Sequence, residues 1–413
     1  MNVYIIGVGM TRFGKFPELS VKDLTRQAVT AALEDANCDQ KHIEAAFFAN
    51  TTQGYLEGQN FIPGPIALRA MGFEHIPMVT LENACASGSA TVWNAINFIR
   101  SGAGDVALCV GAEKMNVPDK VRALKIFDSG WELATADENF KTIMRLGEGV
   151  DIPEGSTSKD PYSRFMDIYG AWGRQKIKRD GLTQRHYAMV SAKNHMHSVH
   201  NERAYFRKPF TVEQVLSAKP IVFPLTIPMC APLTDGGAAA VICNENALGK
   251  LGFSRKRAIK ILASLMVTGS NHDLEDDEKA PMYIASQKAY NIAGVGPEEM
   301  SVAEVHDATA IGETKEIEFL RFCDLGGAGE MIERGDTSIG GRIPVNPSGG
   351  LECKGHPIGA TGIGQLFELV SQLRGECGQR QVENARFAIQ ENGGGLIGGD
   401  EAVGCINILG KCE

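Results

Sequence analysis

Two segments far apart in the chain carry residues suited to nucleophilic chemistry. The first is Glu82-Asn83-Ala84-Cys85-Ala86-Ser87-Gly88-Ser89-Ala90, between an apolar run at 76–81 and a helix-like apolar spacing at 91–99. It sets a cysteine at a strand-to-helix turn lined with small residues, which a ligand backbone or thioester could approach closely. A thiol at a helix N-terminus meets unpaired N–H groups and the positive end of the dipole, and both favour the thiolate. A buried structural cysteine shares this setting, and on this segment alone it is the better reading. The second segment reverses that. It runs Asn346-Pro347-Ser348-Gly349-Gly350-Leu351-Glu352-Cys353-Lys354-Gly355-His356-Pro357-Ile358-Gly359-Ala360-Thr361-Gly362. Small or rigid residues surround one imidazole, a setting that a core histidine does not need. Pro357 and the glycines would hold His356 in one orientation at a helix start, where it could take the proton of a nearby thiol.

Two further segments carry weaker signals. Val305-His306-Asp307-Ala308-Thr309 ends a predicted strand over 302–306, with a satisfied polar strand terminus as the plain alternative. Gln390-Glu391-Asn392-Gly393-Gly394-Gly395 offers consecutive backbone N–H groups that can surround an oxyanion. Two other patterns carry less. Gly7-Val8-Gly9-Met10-Thr11-Arg12-Phe13-Gly14 misses the G-x-G-x-x-G spacing of a dinucleotide site. His195, His197 and His200 lack a matching carboxylate or cysteine cluster, so no metal is assigned.

The elements that must position these residues alternate apolar β-rich runs with amphipathic helices, an α/β pattern. Strands are expected at 3–8, 45–49, 78–81, 106–110 and 238–243, with a helix over 21–36. The second half repeats the plan: a strand at 258–267, a helix near 282–292, a strand at 302–306, then the glycine-rich turn opening a helix within 346–368. Residues 387–390 resemble 106–110, and 402–409 resemble 238–243. This is an internal duplication, and a pseudo-twofold would bring the Cys85 and His356 turns into one site. The expected division is 1–245 and 246–413, with an insertion at about 112–225 in the first half. That insertion is large enough for a lid or binding subdomain. Most of its basic residues read as solvated surface. Two or three, with Arg164, Arg174 and Lys178 as candidates, would contact phosphates of a nucleotide-like ligand.

Bulk properties narrow the partners. A formal charge of -9 over 413 residues argues against nucleic acid as a general partner. The ten cysteines are scattered, with no C-x-x-C pair, which suits a reducing compartment. No signal peptide and no membrane-spanning run is evident, so a cytoplasmic location is expected.

Taken together, Asn83-Ala84-Cys85-Ala86-Ser87-Gly88 and Gly355-His356-Pro357-Ile358-Gly359-Ala360-Thr361-Gly362 resemble the thiolase superfamily, essentially from end to end of the chain. His306-Asp307, Cys230-Ala231-Pro232-Leu233-Thr234-Asp235-Gly236-Gly237 and Phe206-Arg207-Lys208-Pro209 are similar to its sterol-carrier-type and archaeal branch. The resemblance implies a five-layered α-β-α-β-α thiolase fold with duplicated halves, and a homodimer. It also implies coenzyme A thioesters as substrates, CoA as co-substrate with no permanently bound cofactor, and a possible small zinc-ribbon/OB-fold partner protein. In the implied mechanism His356 deprotonates Cys85, whose thiolate attacks the 3-oxo carbon of a 3-oxoacyl-CoA. An acyl group stays on Cys85 while an enolate departs, and free CoA then releases the acyl group. His356 and His306 would stabilise the enolate oxygen. Backbone N–H groups of Cys85 and Gly393–Gly395 would hold the tetrahedral oxyanion, with Asn346 supporting the loop.

The pattern departs from the family at the second acid/base. The thiol expected in a C-x-G-G-G loop or an H-D-C-F segment is replaced by Glu391 or by Ala308. Glu391 is therefore expected to be the second acid/base, with a pKa raised by a desolvated pocket. Glu352 and Cys353 are weaker substitutes. The departure suggests a bulky, branched or aromatic substrate such as 2-benzoylsuccinyl-CoA, which implies the thiolase subunit of a benzoylsuccinyl-CoA-type thiolase. The alternatives are an acetoacetyl-CoA-type condensing acyltransferase, a retro-aldol enzyme, and a non-thiolytic acyl-CoA-binding subunit.

Overall fold

In the computed structural model, which describes residues 1–412, the strands run in chain order as follows. They are β1 (Val3–Met10), β2 (Ala45–Ala49), β3 (Met78–Leu81), β4 (Val106–Glu113), β5 (Pro220–Val222), β6 (Leu225–Thr226), β7 (Gly236–Asn244), β8 (Ile259–Thr268), β9 (Val302–Glu304), β10 (Phe387–Ile397) and β11 (Asp400–Lys411). Strands β5 and β6 form a small ribbon, and the other nine form one sheet in the order β3-β2-β4-β7-β1-β8-β11-β10-β9. The antiparallel contact of Tyr4 with Lys260 and Ile5 with Ile259 joins β1 to β8. Outward from that contact the two sides repeat. On one side lie β7, β4, β2 and β3; on the other lie β11, β10, β9 and a parallel bridge from Ala303 to Val345. The duplication read from the sequence is thus built into the strand order.

Strand β1 shows why the central strands read as nearly unbroken apolar runs. Val3 and Ile5 join one buried cluster and Tyr4 and Ile6 another, so both faces are covered. The helix Val21–Asp35 packs on the outer face of β1, β4 and β7, and Pro281–Ala293 packs on β8 and β11. The helices Ser87–Arg100 and Ile358–Arg374 lie in the middle layer, against each other and against strands of both halves. Val92, Ile96 and Ile99 of the first meet Ile363, Leu366 and Val370 of the second in one apolar cluster. Fully burying each such side chain contributes about 1.5–3 kcal/mol. The contact is intimate: a Cβ on Gly362 would overlap Ser89 Oγ, so only glycine lets the helices approach this closely.

Two expectations shift. Strand β9 ends at Glu304 rather than His306, because other acceptors take the next donors. Val305 N–H donates to Asn346 Oδ1 at 2.9 Å and His306 N–H donates to Glu391 Oε2 at 2.8 Å. The region 346–368 is two helices, Gly350–Lys354 and Ile358–Arg374, parted by Gly355-His356-Pro357 with Gly355 at φ 109°. Among the described residues no helix is long and apolar enough to cross a membrane.

Candidate active site

The Cys85 turn follows β3 and is closed by its own hydrogen bonds. Ser87 Oγ accepts from Asn83 N–H at 2.7 Å and donates to Ala84 C=O at 2.6 Å. Ala84 takes φ 46°, which costs a non-glycine residue some strain and brings the next side chain round toward the second half. Strand β10 runs against this turn. A Cβ on Gly394 would lie 2.5 Å from both Ala86 N and Asn83 O, so the backbone approach depends on that glycine.

The His356 turn is fixed more firmly. The Glu113 carboxylate accepts from Asn50 Nδ2, Thr51 N–H, Thr52 N–H and Thr52 Oγ1, and reaches across to Gly359 N–H at 2.9 Å. It ties the end of β4 to the start of the helix that carries the imidazole. His356 Nδ1 is 2.6 Å from Thr361 Oγ1, and that hydroxyl donates to Pro357 C=O at 3.1 Å. With its hydrogen so used, the Thr361 oxygen accepts from Nδ1–H, which leaves Nε2 as the acceptor. His356 Nε2 lies 3.2 Å from Cys85 Sγ. The two turns read from sequence do meet.

Burial sets the resting charges. It pushes the Cys85 thiol up to about 12, with the Glu401 and Glu82 carboxylates adding to the effect. It drives His356 well below the ordinary histidine range, and the neighbouring His306 acts in the same direction. The resting pair is therefore a thiol beside a neutral imidazole. The thiolate expected from the helix N-terminus is outweighed by desolvation, and Nε2 is placed to accept the thiol proton.

His306 completes the constellation. Its ring centroid is 5.2 Å from that of His356, and burial pushes its pKa down to about 4. Its Nε2 is buried with no partner among the described residues. Cys85 Sγ and one nitrogen from each of His306 and His356 all lie within 4.8 Å of one another. These groups open on a cavity of about 550 Å³ whose far wall is aromatic: Phe127, Tyr162, Phe165, Tyr169 and Trp172.

The remaining residues anticipated from sequence fall in different places. Gly394 and Gly395 line the cavity, whereas Gly393 does not. Asn346 supports from behind: its Nδ2 donates to Glu313 Oε2 at 2.9 Å while its Oδ1 holds Val305. Glu391 lies behind His306 rather than on the cavity wall. The three basic residues are not brought to the wall either. Arg174 is buried and donates to Phe223 C=O at 2.7 Å, and Lys178 donates to Leu146 C=O at 3.3 Å. Arg164 pairs with Asp137 at 2.7 Å and stands over the Trp131 and Phe140 rings. Sequence reasoning missed Glu113, Thr361 and Glu401. Thr361, five residues after His356 at a helix start, carried a readable signal; the two carboxylates did not.

Comparison with known proteins agrees with this geometry. The thiolase N-terminal domain matches residues 3–152, and the thiolase C-terminal domain-like family matches 266–404. An acetyl-CoA acetyltransferase of Methanothermobacter thermautotrophicus is 34% identical over 97% of this chain and 98% of its own. The chain belongs to the thiolase family. As a thiolase it is an acyltransferase acting on acyl-CoA, and its fold is the thiolase fold. The benzoylsuccinyl-CoA thiolase subunit BbsB of Thauera aromatica is 30% identical to this thiolase over 92% of the chain and 91% of its own. Among solved structures, the Ltp2-ChsH2(DUF35) aldolase has a TM-score of 0.78 at 20% identity, covering 100% of this chain and 98% of that one. Human mitochondrial 3-ketoacyl-CoA thiolase in complex with CoA has a TM-score of 0.67 at 18% identity, with the same two coverages.

Proposed function

We propose that this thiolase cleaves, or forms, a bulky or aromatic 3-oxoacyl-CoA through an acyl-Cys85 intermediate, with 2-benzoylsuccinyl-CoA as the specific candidate. The observation that carries the reaction is the 3.2 Å contact between Cys85 Sγ and an imidazole nitrogen oriented as acceptor. His356 takes the thiol proton and Cys85 attacks the 3-oxo carbon. The unpartnered Nε2 of His306 can donate to the enolate oxygen in its neutral form, and the Cys85 and Gly394 backbones supply oxyanion donors. The second acid/base is a carboxylate in place of the family's thiol, Glu391 or one beside it. The aromatic wall supports an aromatic or bulky acyl chain, as does the likeness to the benzoylsuccinyl-CoA thiolase subunit.

CoA serves as co-substrate. Of the basic residues, Arg164 remains the candidate for a CoA phosphate, being flanked by the wall residues Ser163 and Phe165. The edge strand β3, paired only with β2 and carrying exposed Val79, supports a homodimer. The DUF35 protein in the aldolase complex supports a small zinc-ribbon/OB-fold partner. Ten free cysteines support a cytoplasmic location. The working domain division is 1–245 and 246–413, with the insertion at about 112–225 forming one wall of the cavity.

The test is thiolysis of acetoacetyl-CoA, benzoylacetyl-CoA and 2-benzoylsuccinyl-CoA, with and without any zinc-ribbon protein encoded beside this one. The expected result is preference for the aromatic compounds and an acyl group found on Cys85 by mass spectrometry. Preference for acetoacetyl-CoA would overturn the substrate, and no acyl-Cys85 with any of them would overturn the reaction.

A further inference from the structure

Three carboxylates meet behind His306. Glu316 comes from the helix Ala310–Phe319, Glu391 from β10 and Glu401 from β11, and one oxygen of each lies within 4.8 Å of the others. They are poorly satisfied. Glu316 Oε2 and Glu391 Oε1 are buried with no hydrogen-bond partner among the described residues, and the other oxygen of Glu391 accepts from His306 N–H. Two of the three are buried and Glu401 is half-buried, and carboxylates this close cannot all be ionised, so the group holds protons at neutral pH. Lys315 is the cation that opposes this, and its ammonium stands 3.9 Å over the Trp172 ring.

Of the three, Glu401 is the one on the cavity wall with Cys85, His306, His356 and Gly394. After burial itself, its charge is the largest influence raising the Cys85 thiol. A Cβ on residue 393 would overlap the Glu401 carboxyl, so glycine there leaves the space this group occupies. Burial lifts Glu401 to about 7, against the pull of Lys315 and with a contribution from Asp400. Glu391, Glu316, Tyr169 and Cys85 are further titratable groups around it, and His306 and His356 share its cavity.

We propose that Glu401 is the catalytic acid that protonates the α-carbon of the departing acyl-CoA, and that Glu391 and Glu316 are positioning residues that keep its proton in place. This rests on the thiolase reading above. In cleavage, the Cys85 proton moves to His356 and the S–C bond forms at the 3-oxo carbon. Collapse breaks the bond between the α- and 3-carbons, leaving acyl-Cys85 and an enolate, whose α-carbon takes the proton of Glu401. CoA thiol then enters and gives its proton to the Glu401 carboxylate. Its thiolate takes the acyl group, and Cys85 recovers its proton from His356. The cycle returns both groups to their starting states.

The test uses Glu401→Gln, Glu391→Gln and Glu316→Gln in the full chain, with the 3-oxoacyl-CoA of the panel that wild-type enzyme cleaves fastest. Glu401→Gln should lose about 10²–10⁴-fold in thiolysis, the usual worth of a general acid. It should also lose solvent deuterium wash-in at the α-carbon of the acyl-CoA product, while alkylation of Cys85 by iodoacetamide, which needs no general acid, stays within about tenfold of wild type. Glu391→Gln and Glu316→Gln should keep wash-in and displace the alkaline limb of thiolysis, because a member of the group of carboxylates that share protons with Glu401 is gone. Unimpaired thiolysis and wash-in in Glu401→Gln, with both lost in Glu391→Gln, would give the role to Glu391. Should Glu401→Gln also lose alkylation, Gly393→Ala, which displaces the same carboxyl, must show the selective loss; general loss in both overturns the proposal. Absence of acyl-Cys85 in the wild-type protein would refute the thiolase reading itself, a result distinct from all of these.

Discussion

The turns that open the two central helices occupy equivalent places in the duplicated halves, yet they are built differently. The Cys85 turn is held by local bonds around Ser87, sits beside the edge strand β3, and opens on the cavity. The His356 turn is buried and locked across the molecule, through Glu113 to Gly359 and through Thr361 to the ring itself. The proposed nucleophile opens on the cavity, whereas the proposed base has its orientation and tautomer fixed in advance. One duplicated frame thus provides both partners of a reaction that neither half could perform.

The contrast can be tested from its strongest consequence downward. Cys85→Ala removes the atom that forms the covalent bond and should cost at least about 10⁴-fold in thiolysis, measured with coupled product detection. His356→Gln should cost about 10²–10⁴-fold, since water can accept the thiol proton poorly but not negligibly. If His356→Gln matched Cys85→Ala, the imidazole would be doing more than proton transfer. Thr361→Val keeps the ring but releases its tautomer, and about tenfold is expected from one hydrogen bond of about 1–1.5 kcal/mol. No loss there would mean that packing alone orients the ring.

A pH measurement sharpens the same comparison. Burial, then Glu401 and Glu82, hold the Cys85 thiol up to about 12, so the reactive thiolate grows as pH rises. Alkylation of the resting enzyme by iodoacetamide should therefore climb about tenfold per pH unit between 7 and 10 without a plateau. A plateau near neutral pH would instead reveal a preformed thiolate–imidazolium pair.

Much of this was legible in the residues. Strands at 45–49 and 78–81 fall where the apolar runs placed them, and the repeat of strand and helix through the second half foretold the mirrored sheet order. Cys85 and His356 announced themselves because close approach demands small neighbours, which leave a visible pattern. Glu391 was noticed for the same reason, through the glycines that follow it. Glu401 carried no such mark, being one acidic residue after a tight turn. The fate of Arg174 and Lys178 was equally hidden, because a basic side chain reads the same whether it faces a phosphate or a backbone carbonyl.

The sequence by itself determined the duplicated α/β plan and marked the cysteine and histidine turns, since local spacing and small residues dictate strands, helix starts and tight turns. Only the tertiary structure decided the protonation of the thiol, the tautomer of its base and which carboxylates share a site. Those depend on water removed and charges gathered from distant strands, quantities that no local pattern encodes.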